Sequence, residues 1–230
     1  MLRQYVKSIL VAASVLLAIS SCSGHYRIDG IVETIGYEGR QLYLTELLPW
    51  KTTRLDSCKV ENGRFRMKGC VDSIKLVFLC KDEYPIVPVY MERGHATIRL
   101  TPTGNTVSGT RQNDLFFSFL RDKTACDNRY EEVSQKRFSR EIQSDAVSLQ
   151  MIQDSLLSIV GDCEEMICKF MSRNYDEPAA VGVFMMLSVA PTTEIPSLLK
   201  RILDAAPQEF LANSYVKGYT ERMNYARKDQ

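Results

Sequence analysis

The sequence predicts an α+β chain. An N-terminal antiparallel β-sandwich or partly open barrel is expected over residues 26–110, followed by a helical domain over 111–230. Three observations carry this expectation. Eight short runs rich in β-forming residues, separated by turn residues, crowd into 26–110. At Gly109-Thr110 the hydrophobic period lengthens from that of a strand to that of a helix. Beyond it, Leu149, Ile152, Leu156, Ile159, Cys163, Met166 and Phe170 alternate steps of three and four, an apolar stripe that needs helical partners.

The first strand-like run is Tyr26 to Val32; a turn at Gly36 to Gly39 leads into Gln41 to Thr45. Arg54 to Glu61 and Arg64 to Lys68 meet at Asn62-Gly63, the strongest short hairpin signal. That hairpin would set Val60 opposite Phe65 and Cys58 opposite Met67, all on the core face. Lys59, Arg64, Arg66 and Lys68 then point to water and are taken as a solvated face rather than a phosphate patch. Ile74 to Cys80 is almost wholly apolar, which suits a strand covered on both sides. Ile86 to Glu92, Ala96 to Thr101 and Thr106 to Ser108 complete the set.

Asn113 or Asp114 is the expected cap of the first helix, with a break near Phe138 to Ser144. Pro178 opens a helix over Ala179 to Val189 that is apolar nearly all round and should be the most buried. Ile195 to Ala205 and Ala212 to Arg227 are the remaining helices, with Pro207 between them.

The N-terminus has a separate logic. Arg3 and Lys7 precede an apolar run from Ser8, which closes on Leu17-Ala18-Ile19-Ser20-Ser21-Cys22. Residues 1–21 have the pattern of a secretory signal peptide. Small residues directly before Cys22 resemble a bacterial lipobox, which makes Cys22 the expected lipidation site and 22–25 a short lipidated tether. No acidic residue precedes Asp29, so a periplasm-facing position is expected, on the outer membrane because Ser23 follows the cysteine. The working surface is expected on the side away from the tether.

Charge and residue inventory exclude several classes. Losing Arg3 and Lys7 leaves 27 of the 29 basic residues against 28 acidic ones, so no global field favours nucleic acid. His25 and His95 are the only histidines and neither has metal-ligand spacing. No Gly-x-Ser-x-Gly elbow or P-loop is present. Asp162, Glu164 and Glu165 are read as a solvated helix face. The disulfide state of Cys58, Cys70, Cys80, Cys126, Cys163 and Cys168 stays open, with buried free thiols preferred for most. Cys163 and Cys168 lie about 140° apart on a helix and cannot pair with each other.

A family resemblance rests on Leu55-Asp56-Ser57-Cys58-Lys59-Val60-Glu61-Asn62-Gly63-Arg64-Phe65-Arg66-Met67-Lys68-Gly69, on Glu92-Arg93-Gly94, and on Ser108-Gly109-Thr110-Arg111-Gln112-Asn113. These resemble motifs of a domain of unknown function and its helical linker. In lipid-anchored thiol–disulfide oxidoreductases that domain precedes an AhpC/TSA thioredoxin-like domain. The resemblance implies a β-sandwich with helices on a lipoprotein. About five residues follow Tyr225 and no Trp-Cys-x-x-Cys occurs, so the redox domain is expected to be missing.

The expected function is therefore a non-catalytic binding or scaffolding lipoprotein, with no catalytic residue, metal or cofactor. Its expected partners are the membrane, through lipid on Cys22, and a periplasmic protein. The alternative is an accessory to a periplasmic thiol–disulfide system that uses its own cysteines with a separate thioredoxin-like partner.

Overall fold

A computed structural model describes residues 24–48, 51–142, 146–189 and 195–228. The expected signal peptide over 1–21, the expected lipidation site Cys22, and Trp50 lie outside the described residues. The chain divides into two compact units at Thr110/Arg111.

The first unit holds eight strands: β1 (Gly24–Val32), β2 (Gln41–Leu48), β3 (Lys51–Lys59), β4 (Arg64–Val71), β5 (Lys75–Lys81), β6 (Tyr84–Met91), β7 (Gly94–Thr101) and β8 (Gly104–Ser108). They form two four-stranded sheets, ordered β4-β1-β7-β8 and β3-β2-β5-β6. β1 starts at Gly24, so Gly24 and His25 pair with Val71 and Cys70 instead of belonging to a tether. Alternation places Ile28, Met67, Ile98 and Leu100 of the first sheet in the core, with Leu42, Leu44, Val77, Leu79 and Val89 of the second. At the far edge Asn105 Nδ2 donates to the Ile86 carbonyl at 3.3 Å, which links β8 to β6.

Two expectations about strand pairing need correction. The first sheet is mixed, because β1 runs parallel to β7. A period of two is the same in either direction, so alternation alone cannot show this. The second concerns the Asn62-Gly63 hairpin. Both residues do take positive φ, 53° and 66°, as that turn requires. Only Glu61 and Arg64 pair across it. Then the strands part: Cys58 lies opposite Leu42 on β2, and Met67 lies opposite Ile28 on β1. Each strand forms a longer ladder with another partner, so the turn passes the chain from one sheet to the other. The Glu38 carboxylate holds it by accepting the Asn62 and Gly63 amides at 2.8 and 3.0 Å. Val60, Phe65 and Met67 are buried as expected, Cys58 only partly.

Close approach explains one glycine. Gly30 lies opposite Phe65, and a Cβ there would stand 2.0 Å from the Phe65 ring. The ring covers the bare backbone of the central strand.

The second unit holds α1 (Arg111–Ile142), α2 (Ala146–Asn174), α3 (Pro178–Ser188), α4 (Ile195–Asp204), α5 (Gln208–Leu211) and α6 (Ser214–Lys228). α1 begins at Arg111, so Asn113 and Asp114 lie inside the helix instead of capping it. Asn113 is fully buried. α1 and α2 pack as an antiparallel hairpin, with the Phe119 and Phe170 rings 4.7 Å apart and Arg129 bonded to Asp162 at 3.2 Å.

The α2 stripe buries Leu156 and Ile159, then drifts toward Ile167 and Met171, while Met166 and Phe170 are half-buried and Phe170 keeps its contact with Phe119. Such drift is what 3.6 residues per turn produces against a seven-residue repeat. α3 is the most apolar helix, with Ala179, Ala180, Val183 and Phe184 fully buried. Its start is tied from α1: buried Gln112 accepts the Ala179 amide at 3.0 Å and donates to Glu177 at 2.6 Å. This satisfies one of the amides a helix start leaves open.

Candidate functional site

The outward positions of the first sheet concentrate charge. β1 lies centrally, with β4 and β7 on either side. Register sets Arg27 between Lys68 and His95, Asp29 between Arg66 and Thr97, and Ile31 between Arg64 and Arg99. Arg27, Arg64, Arg66, Lys68, His95 and Arg99 are all exposed. Among the described residues of these strands Asp29 is the acidic group on this face, and Glu33, just past β1, reaches Arg99.

Asp29 is the centre of this array. It accepts from Arg66 Nε at 2.6 Å and Arg27 Nε at 2.9 Å, and its Oδ2 stands 2.8 Å from His95 Nε2. Partial burial acts to raise the Asp29 carboxyl, but hydrogen bonds from Arg66, Arg27 and His95 outweigh it and hold the group at about 2. The carboxylate therefore stays ionised and fixes two guanidinium groups in place. Arg99 reaches Glu33 at 3.3 Å. Among the described residues Arg64 and Lys68 have no carboxylate partner. The result is a fixed array of donors with excess positive charge, suited to phosphate or carboxylate oxygens. The sequence had marked Arg64, Arg66 and Lys68 as a solvated face. It did not show that Arg27, His95 and Arg99 join them.

At one margin of the unit is a cleft of about 350 Å³ lined by Tyr26, Asp56, Lys68, Cys70 and Lys75. The Tyr26 hydroxyl donates to Asp56 Oδ2 at 2.6 Å, and Asp56 Oδ1 accepts the Ser57 amide at 2.7 Å. Burial, and then the bond to Asp56, push the Tyr26 phenol up, so it remains a donor and is no base at neutral pH. Gly69 leaves room for the ring, since a Cβ there would stand 2.8 Å from Tyr26. Asp56 of the motif thus fastens β3 to β1, with the Ser57 amide orienting its carboxylate.

The remaining sequence candidates disperse. Asp162 pairs with Arg129, whereas Glu164 pairs with Arg201 at 2.5 Å, so the acidic trio is split between partners. Among the described residues no group of histidines, cysteines and carboxylates has metal-binding geometry. No described helix is long and apolar enough to cross a membrane.

The cysteines are less buried than the sequence suggested: Cys80 and Cys126 are buried, Cys58, Cys163 and Cys168 half-buried, and Cys70 exposed. Burial pushes the Cys58 thiol up to about 11, with the Asp56 charge adding to it. It pushes Cys80 up as well. Neither thiol is activated as a nucleophile.

With this geometry in place, residues 26–116 match the family model of a domain of unknown function, DUF4369. The DUF4369 match runs from Tyr26 in β1 to Phe116 in α1, so it takes in both sheets and the charged outer face. It also contains the Asp56-Ser57, Glu92-Arg93-Gly94 and Ser108-Gly109-Thr110 motifs. No curated protein and no solved structure matches the chain.

Proposed function

We propose that the chain is a non-catalytic binding or scaffolding lipoprotein that faces the periplasm from the outer membrane. In this reading its DUF4369 domain lies against phosphate-bearing lipid headgroups through the outer face of the first sheet. The observation that carries the proposal is the array of Arg27, Arg64, Arg66, Lys68 and Arg99 around a single central carboxylate, Asp29. The position of β1 supports it: Gly24 is two residues from Cys22, about 7 Å of extended chain. Acyl groups on Cys22 would hold the start of β1 at headgroup depth. In this reading the working face lies beside the tether instead of away from it. Basic residues near an anionic surface contribute about 1 kcal/mol each, enough for several to supplement a lipid anchor.

In the same reading residues 26–116 are the counterpart of the domain that precedes the thioredoxin-like domain in lipid-anchored thiol–disulfide oxidoreductases. The match to a domain of unknown function supports that relation. A periplasmic protein partner would then use the surface that headgroups leave uncovered.

The test uses residues 23–230, without the acylated cysteine, in sedimentation with vesicles. Vesicles containing phosphatidylglycerol should pull the protein down in low salt and release it as salt rises, while phosphatidylcholine vesicles should not. The triple variant Arg64→Glu, Arg66→Glu, Lys68→Glu should lose at least about tenfold in affinity. Inorganic phosphate at millimolar concentration should compete weakly; full displacement would mean a site for free phosphate. Equal sedimentation with both vesicle types, or no change in the triple variant, overturns the proposal.

A further inference from the structure

The helical hairpin of the second unit contains a pair of thiols that faces across its interface. Phe119 of α1 and Phe170 of α2 are in ring contact at 4.7 Å. Cys126 follows Phe119 by seven residues and Cys163 precedes Phe170 by seven. In antiparallel helices both steps run the same way along the interface for two turns, about 10 Å. Arg129 and Asp162 then meet at 3.2 Å just past the cysteines. The thiols are thus bracketed by one aromatic contact and one ion pair in a common register, which sets Cys126 and Cys163 opposite each other across the interface. Cys126 is buried and Cys163 is half-buried, so the pair lies at the margin of the interface on the Cys163 side.

We propose that Cys126 and Cys163 are a disulfide site that fastens α1 to α2 when the protein meets a disulfide-bearing oxidant. Oxidised glutathione and protein dithiol–disulfide oxidoreductases belong to that chemical class. One thiol loses its proton and its thiolate attacks the oxidant's disulfide. A mixed disulfide forms and one oxidant thiol leaves. The second cysteine, as thiolate, attacks the mixed disulfide; the Cys126–Cys163 bond forms and the second oxidant thiol leaves. Two electrons pass to the oxidant, and the two protons from the cysteines end on its thiols.

The electrostatics set the rate. Burial first, and then the neighbouring Cys126 thiol, push the Cys163 thiol up to about 12. Little thiolate exists at neutral pH, so exchange is slow. That suits a staple made once, and it is unlike the low-pKa thiol of a catalytic pair. The site is independent of the charged sheet face and of lipid binding.

The folded full chain is incubated with oxidised glutathione at mildly alkaline pH, unfolded in an alkylating agent, digested and mapped by mass spectrometry. The expected product is a cross-linked pair of peptides containing Cys126 and Cys163, about 2 Da lighter than the two thiol peptides together. The oxidised chain should melt at least about 5 °C above the reduced one. That difference should vanish in Cys126→Ser and persist in Cys70→Ser. Alkylated or glutathionylated Cys126 and Cys163, or a cross-link from either to another cysteine, overturns the proposal. If Cys126→Ser fails to fold, the peptide map of the unaltered chain decides alone.

Discussion

The two sheets of the first unit have equivalent inner faces and opposite outer ones. Outward positions of the first sheet carry Arg27, Asp29, Arg66, Lys68, His95 and Arg99, exposed apart from the half-buried Asp29. Outward positions of the second carry Thr45, Leu76, Phe78, Cys80 and Tyr90. Thr45, Cys80 and Tyr90 are each no more than 3% exposed. One face keeps its ions hydrated and able to exchange partners; the other is buried at Thr45, Cys80 and Tyr90, with Arg54 opposite Thr45 exposed. A charged ligand belongs on the first, and a charge introduced at the buried positions of the second is penalised.

The largest effect expected from this contrast comes from one substitution made on each face. Thr45→Lys puts an uncompensated ammonium into a buried position and should cost about 3 kcal/mol or more. Thr97→Lys, beside Asp29 on the exposed face, should change stability by less than about 0.5 kcal/mol. Urea denaturation of both variants checks the pair. Equal losses would show that the faces are alike in environment.

Gly30→Val comes next, because it tests the core that the sheets share. Its Cβ would meet the Phe65 ring at 2.0 Å, so the ring must move. The expected loss is about 2–3 kcal/mol, and Phe65→Ala in the same chain should recover part of it. A variant as stable as the parent would mean that the ring does not lie over β1.

A smaller effect is expected from pH. The folded Asp29 value of about 2 lies below its ordinary value of 3.8. A lowered carboxyl adds stability that is present above the ordinary value and is lost as pH falls through about 2. Arg27, Arg66 and His95 are each at least half exposed, which screens the gain to about 1 kcal/mol. Asp29→Asn should therefore be less stable than the parent at pH 6, with the gap closing toward pH 2. A gap independent of pH would remove Asp29 as the ionic centre.

What the sequence disclosed follows from range. All eight strands and the helices from Pro178, Ile195 and Ala212 were legible because periodicity and prolines act within a few residues. The short α5 was not, as four residues carry no period. Pairing depends on partners far along the chain. Asp29 and His95 are 66 residues apart in sequence, and alternation does not say that β1 and β7 are neighbours or parallel. Asn62-Gly63 gave the correct turn conformation and the wrong partners, because the ladders of β3 with β2 and β4 with β1 prevailed. Gln112 gave no signal: a glutamine early in a helix usually faces water, and here it accepts the Ala179 amide at a helix start 67 residues away. Cys163 lay visibly in the α2 stripe. Cys126 could have been matched to it by stepping seven residues from Phe119, but only once Phe119 and Phe170 are known to touch.

The passage of the chain between sheets at Asn62-Gly63 also bears on self-association. Sheet edges are templates for further strands, and stacking of copies begins there. Here β3 and β4 end the two sheets on the side where the turn joins them. On the other side β6 carries Pro85 and Pro88, which have no amide proton to offer an incoming strand. Neighbouring β8 is only five residues long and is bound to β6 through Asn105. The β6 and β8 edges therefore offer few backbone donors in line to a strand of a second copy.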